Sequence, residues 1–288
     1  MAFTSYYDDE VWVIVNRTIG GVTKRYVEYF KPDVFEEQED GFFVDSGVTA
    51  DSPKTITAIT KANPGVVTAA LHGFSNDDIV VIRGVVGMTE VNHTKYKVAN
   101  QAANTFELND VTDDLPVSTL GYTTYVSGGE VRKCSTSFSG LSHLALETVS
   151  VLADSIVLPS EVVTAGGAIT LDVAGGQVHA GLPFTSKLKT MRLEVPLGTG
   201  TAQAKFKHIA KIFLRLHESL GGDAGGIEGQ DSIDFGDYDT EWVALFNGDK
   251  EVTVPSSVDR DGYVLVETDE PLPFNLLAII SHVSINEP

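Results

Sequence analysis

The sequence holds a single cysteine, Cys134, so neither a disulfide framework nor a thiolate metal cluster can be built from it. Basic residues are scarce, 20 against 40 acidic ones, and the net charge of −20 disfavours tight, sequence-reading contact with nucleic acid because such a surface repels phosphate at long range. Long apolar runs are missing too. The longest, Leu276-Leu-Ala-Ile-Ile280, falls far short of the ~20 residues that cross a bilayer, so no membrane partner is expected. Asp8, Asp9 and Glu10 stand where a secretion leader would carry basic and then apolar residues, and no leader is expected. The seven histidines occur singly, without a His-x-x-x-His pair, which argues against zinc. Ser142 and His143 are neighbours without a Gly-x-Ser-x-Gly elbow, and the glycines at 198–201 and 221–226 lack the Lys-Ser/Thr of a phosphate loop. No catalytic residue and no cofactor is expected; carboxylate pairs for glycoside hydrolysis are too numerous among 40 acids for one to stand out.

What is present is β-structure. Between Leu141 and Glu194, the runs Glu147–Asp154, Ser155–Leu158, Glu161–Val163, Ala168–Asp172 and Gln177–Ala180 are short, β-branched and apolar, with turns at Ala165–Gly167 and Gly175-Gly176. That is the pattern of antiparallel sheet. Val11–Val15 and Arg25–Phe30 flank Gly20-Gly21 and predict a hairpin, and the near-continuous apolarity of its first strand predicts that both faces of that strand are covered. Glu36–Asp40 predicts a solvated, charged loop.

From Lys54 to Arg132 the texture changes. Six short strands are predicted, Thr55–Ile59, Val66–Leu71, Asp78–Arg83, Thr94–Val98, Thr105–Leu108 and Tyr122–Val126, separated by Asn, Asp and Gly turns. The fold expected is therefore all-β: a propeller- or sandwich-like antiparallel host domain (1–53 plus 133–288) with an inserted small β-barrel (54–132). The insert has six basic and eight acidic residues, a net of about −2, so the acidity belongs to the host.

Lys205–His217 fits a helical face through Ile209, Ile212, Phe213 and Leu216 and also fits strand alternation, and the flanking sheet favours strand. Further strands are predicted at Trp242–Phe246, Glu251–Val254, Gly262–Glu267 and Phe274–Ile285, with turns at Asn247-Gly248-Asp249 and Asp259–Gly262. The densest acid lies between Asp223 and Glu241. Asp231, Asp234 and Asp237 recur every three residues, as hard ligands for calcium would, but lack the Asp-x-Asp-x-Asp-Gly spacing; a solvated loop or a negative rim at a subunit contact is preferred. Lys205, Lys207, Lys211 and Arg215, with His208, make the only basic cluster, and its preferred role is to pair with the acidic loop of a neighbouring subunit rather than with nucleic acid.

Several stretches, in fixed order, resemble the C-terminal half of tail nozzle or stabilisation proteins of short-tailed bacteriophages, which are longer chains. They are Val11-Trp-Val-Ile-Val15 with Arg25-Tyr-Val-Glu-Tyr-Phe30, Phe43-Val-Asp-Ser-Gly47, Gly140-Leu-Ser-His-Leu144 with Val149–Asp154, Gly181–Ser186, and Asp269-Glu-Pro-Leu-Pro273. Inside the insert, His72-Gly-Phe-Ser-Asn-Asp-Asp78, Gly84-Val-Val-Gly-Met88, Ala103-Asn-Thr-Phe106 and Tyr125-Val-Ser-Gly-Gly129 resemble the module named for the first catalytic cysteine half-domain of ubiquitin-activating enzymes, a β-fold without ubiquitin chemistry, with Cys134 expected outside it. The nozzle resemblance implies a non-enzymatic virion part, made in the bacterial cytoplasm. It implies a homo-oligomer, six copies in a ring, that contacts the portal, the adaptor and other tail proteins while DNA passes through unbound. The competing expectation is a phage-tail module that binds host-surface glycan; a hydrolase is the third.

Overall fold

The computed structural model describes residues 11–31, 35, 38–194, 196–197, 200–203, 205–254 and 258–286, and among them every regular element longer than three residues is a strand. Contacts divide the chain into two compact units, residues 1–40 with 46–182 and residues 41–45 with 183–288, so the residues expected to form one host domain are shared between two.

The first unit opens with β1 (Trp12–Ile19) and β2 (Val22–Tyr29), the expected hairpin, in register from Trp12↔Tyr29 to Ile19↔Val22. Gly20 and Gly21 both sit at positive φ, as the tight turn requires. The covering of β1 departs from expectation. Only one face is covered: Ile19 packs on the core below, while Trp12 and Ile14 point outward and stay exposed.

β3 (Asp45–Ala50) leads into six strands, β4 (Lys54–Ile59), β5 (Val66–Ala69), β6 (Ile79–Val86), β7 (Thr94–Ala99), β8 (Thr105–Asp110) and β9 (Ser127–Lys133). These close into a barrel in the order β4-β5-β8-β7-β6-β9, antiparallel throughout, which leaves the module without a free edge. Alternation points Val80, Ile82, Tyr96, Val98, Phe106, Leu108 and Val131 into one core. Strand β6 is apolar on both sides for a visible reason: its outward Val81 is buried as well, and Gly176 comes so near that a Cβ there would lie 2.5 Å from it. The sixth strand is Ser127–Lys133 rather than Tyr122–Val126. Tyr122 and Tyr125 pack on the barrel core from an irregular segment, and the Tyr125 hydroxyl reaches the carbonyls of Ile56 and Gly128 at 3.2 and 2.9 Å.

After the barrel come β10 (Ser135–Ser139), β11 (Thr148–Ala153), β12 (Ile156–Val162), β13 (Ala168–Gly175) and β14 (Val178–Leu182). A four-stranded sheet, β12-β11-β14-β3, and the pair β10-β13 share a core of Leu144, Val149, Val151, Val163, Ile169, Leu171 and Val178, a small sandwich. The break expected between Leu158 and Glu161 is absent. Pro159 continues the strand because β12 is the edge of its sheet, where a missing N–H costs no ladder bond.

The second unit holds β15 (Ser186–Lys189), β16 (Pro196–Leu197), β17 (Gly200–Thr201), β18 (Phe206–Ser219), β19 (Asp223–Gly226), β20 (Gly229–Ser232), β21 (Phe246–Thr253), β22 (Val258–Asp259), β23 (Leu265–Thr268) and β24 (Asn275–Asn286). One sheet runs β15-β23-β19-β20, so part of the expected Gly-rich acidic loop is a β19-β20 hairpin. In the other, β18 is central, with β24 along one edge and β21 and β22 along the other. Buried side chains in β18 change parity, from Lys207 and Ile209 to Ile212, Leu214 and Leu216, across a bulge at Ala210. Asn247-Gly248-Asp249 is not a turn; it lies inside β21, and Trp242–Leu245 is not strand. The Asn247 side-chain oxygen instead accepts the Glu218 N–H at 3.1 Å, beside a bulge where Glu218 has positive φ.

Candidate functional site

A polar seam joins barrel and sandwich in the first unit. Glu39 and Asp40, expected in a solvated loop, belong to it: Glu39 is buried and Asp40 partly so, and both lie in a 3-10 turn at Gln38–Asp40. Residues 36 and 37 of that run lie outside the described ones. His93 Nδ1 is 2.6 Å from Glu39 Oε1, and Arg83 Nη2 donates to Asp40 at 3.0 Å. From the sandwich side, Gln177 donates to Asp40 at 3.1 Å and His179 Nε2 donates to the Glu39 carbonyl at 2.7 Å. Burial holds the His179 pKa below its ordinary value, so the ring is neutral and its Nδ1 accepts from the Thr49 hydroxyl at 2.8 Å. Arg132 on β9 completes the seam, with Nε 2.5 Å and Nη2 3.2 Å from the Asp51 carboxylate and Nη2 2.8 Å from Glu130. Lys95 adds a bond to the Ala174 carbonyl at 2.5 Å.

Burial alone would raise the Glu39 carboxyl, but the His93 contact, with Arg83 behind it, outweighs burial and holds the group below the usual carboxylate range. A carboxylate lowered in the folded state gives stability that is present above its unfolded pKa and is lost as pH falls through the folded value. Replacing Glu39 by Gln is therefore expected to flatten the acid limb of the stability curve, followed by urea titration between about pH 7 and pH 3. An acid limb as steep as that of the wild type would remove Glu39 from this role.

The seam places two histidines and several acids together without a nucleophile. Ser142 and His143 form a 3-10 turn, Ser142–Leu144, in which His143 Nε2 donates to the Ser46 carbonyl at 2.8 Å. Burial pushes the Cys134 thiol up to about 12, so it stays protonated and inert.

The seven residues expected at subunit contacts all lie in the second unit. Lys207 is buried, and its ammonium donates to the Arg260 carbonyl at 2.5 Å. Lys211 pairs with Glu251 at 3.1 Å, and Arg215 grips Asp249 with two bonds of 2.8 and 2.9 Å, both across the β18-β21 ladder. Lys205 stands just before β18. Asp231, Asp234 and Asp237 are exposed, alternating in part with buried Ile233 and Phe235. The Asp234 side chain caps the Gly236 N–H at 3.0 Å, and its carbonyl accepts from Lys250. Among the described residues, no three His, Cys, Asp or Glu side chains converge as metal ligands would.

The second unit also has a groove of about 290 Å³, lined by Phe43, Phe184, Leu188, Leu272, Phe274 and Leu276 among others. Glu270 borders it, and burial raises this carboxyl although the Tyr238 hydroxyl bonds both its oxygens, at 3.0 and 3.1 Å. Gly221 and Gly222 have to be glycine here: both are at positive φ, and a Cβ would strike Glu270 at 2.2 Å in one case and Phe274 at 2.9 Å in the other. The other groove acid, Glu267, is held by Lys187 at 2.7 Å. The distant partners of Glu39 and Glu270 explain why neither could be picked from the sequence; the only local signal was the double glycine.

Comparison with known families concerns the barrel. The family model of the ubiquitin-activating enzyme E1 FCCH domain matches residues 62–134, about a quarter of the chain. The match reaches Cys134, which therefore lies within the module's span and not outside it. The motif His72-Gly-Phe has a structural role: the His72 ring accepts the Phe74 N–H at 3.0 Å, bonds the Ala102 carbonyl at 2.8 Å and meets Phe106 edge-on. No curated protein matches the chain. The inserted barrel is thus similar to the FCCH module.

Proposed function

We propose that the chain is a non-enzymatic structural part of a bacteriophage tail, one of several copies ringing the acidic channel through which DNA leaves the particle. Charge carries this reading: of a net −20, the barrel segment from Lys54 to Arg132 holds only about −2, and the rest lies outside it. A wall of like charge repels phosphate and offers passing DNA no foothold. Stiffness supports it as well, since a closed barrel joined to a sandwich through buried, hydrogen-bonded charges resists bending under load.

The test uses the full chain with linear duplex DNA at low salt, and antibody labelling of virions. Wild-type protein is expected to leave DNA unretained, whereas the triple change Asp172→Lys, Glu228→Lys and Glu241→Lys, at exposed acids outside the 231–237 segment, is expected to retain it in a salt-dependent way. Antibody should decorate the tail end of particles. Retention by the wild type, or virions without label at the tail, overturns the proposal.

A further inference from the structure

The outer face of the β1-β2 hairpin is a ladder of large apolar side chains. Trp12 faces Tyr29, with ring centroids 5.2 Å apart, and Ile14 faces Val27. Ile14 is 73% and Val27 68% exposed. Together with Trp12 and Tyr29 these residues expose several hundred Å², at the upper end of what monomeric proteins leave in water. Strand β6 shows what such continuous apolarity looks like when both faces are covered, by the barrel core on one side and the seam on the other. Strand β1 opens on a similar apolar run, Trp12 to Val15, with one face covered.

Charge indicates the occupant. Between Trp12 and Tyr29 the hairpin carries Arg17, Lys24 and Arg25 against Glu28 alone, on a chain of net −20. Arg17 is held by Glu28 at 2.6 Å, whereas no ion pair among the described residues joins Lys24 or Arg25 to an acid. The carboxylates of Asp231, Asp234 and Asp237 are likewise exposed and, among the described residues, in no ion pair, while Lys211 and Arg215 are engaged by Glu251 and Asp249 and Lys250 bonds only the Asp234 carbonyl. We infer that the outer hairpin face is the surface by which one copy of this chain docks on a second copy, with Arg25, which stands on the ladder's face opposite Asn16, meeting the acidic 231–237 segment and the apolar ladder buried in the contact. The two patches are different surfaces of the same chain, so the contact is head-to-tail, the kind of contact from which rings are built. This rests on, and deepens, the ring reading above.

Sedimentation velocity of the full chain over a concentration series tests it. The double variant Ile14→Thr with Val27→Thr keeps β-forming residues on an exposed face, so its melting temperature should match that of the wild type while self-association weakens at least tenfold. Arg25→Glu should weaken association and remove its salt dependence. Undiminished association of the double variant would sink this inference alone and leave a ring built through another face. A wild type that stays monomeric at every concentration, or whose hairpin binds anionic phosphatidylserine vesicles in preference to its own copies, also overturns it, whereas the DNA and labelling results above judge the channel reading separately.

Discussion

Arg132→Met is expected to destabilise the first unit by about 3 kcal/mol, seen as a lower urea midpoint with an unchanged slope. The guanidinium is almost fully buried, and it holds Asp51 and Glu130 together at the point where the chain leaves and re-enters the sandwich. Removing it leaves Asp51 without its counter-charge and Glu130 with only the more distant Arg83, at 3.9 Å, which comes near the situation in which a broken buried pair costs most. Because Asp51 and Glu130 are 23% and 42% exposed, water recovers part of the loss, which places the figure at the low end of the usual range of about 3–5 kcal/mol. Asp51→Asn should cost less, since Glu130 still neutralises the arginine. A change under about 1 kcal/mol for Arg132→Met would mean that the seam is held by packing and not by charge.

Phe106→Ala is expected to be the most damaging single truncation in the barrel, about 3–5 kcal/mol. Phe106 is fully buried and meets His72 and Phe74 edge-on, at 5.2 and 5.7 Å, so its loss removes contact area, two ring interactions and the support beneath the His72 turn at once. Closed barrels repack poorly around a void because every strand is hydrogen-bonded on both sides. Amide exchange should rise throughout the barrel strands and much less in β11 and β14; uniform acceleration across both would show that barrel and sandwich unfold as one body. Phe106→Leu, which leaves a smaller void, should cost distinctly less.

How far the residues announced this arrangement depends on whether their partners were local. The β1-β2 hairpin was legible because Gly20-Gly21 sets its turn within the same few residues that form its strands. Five of the six barrel strands were legible for the same reason: alternation and turn residues are neighbours in sequence. Tyr122 and Tyr125 misled because two aromatics three residues apart serve an irregular cover over a core as well as they serve a strand. The ambiguity over Lys205–His217 has a physical source, since the bulge at Ala210 shifts the buried set by one residue and mimics helical spacing at Ile209 and Ile212. Asn247-Gly248 kept its local turn chemistry but was overruled by a ladder with β18, thirty residues upstream. Glu39 was invisible: its charge is matched by His93 and Arg83, which only the fold brings near.

Lys54 and Thr55, where the chain enters the barrel, pair with Val131 and Glu130, where it leaves, so the module's two ends sit side by side on adjacent strands. A unit with neighbouring ends can be exchanged as a cassette: deleting it asks the remaining sandwich to close only a short gap, and a different closed domain with similarly spaced termini can take its place without rethreading the host. Away from the seam residues that tie them together, the scaffold and its appendage are thereby free to vary independently.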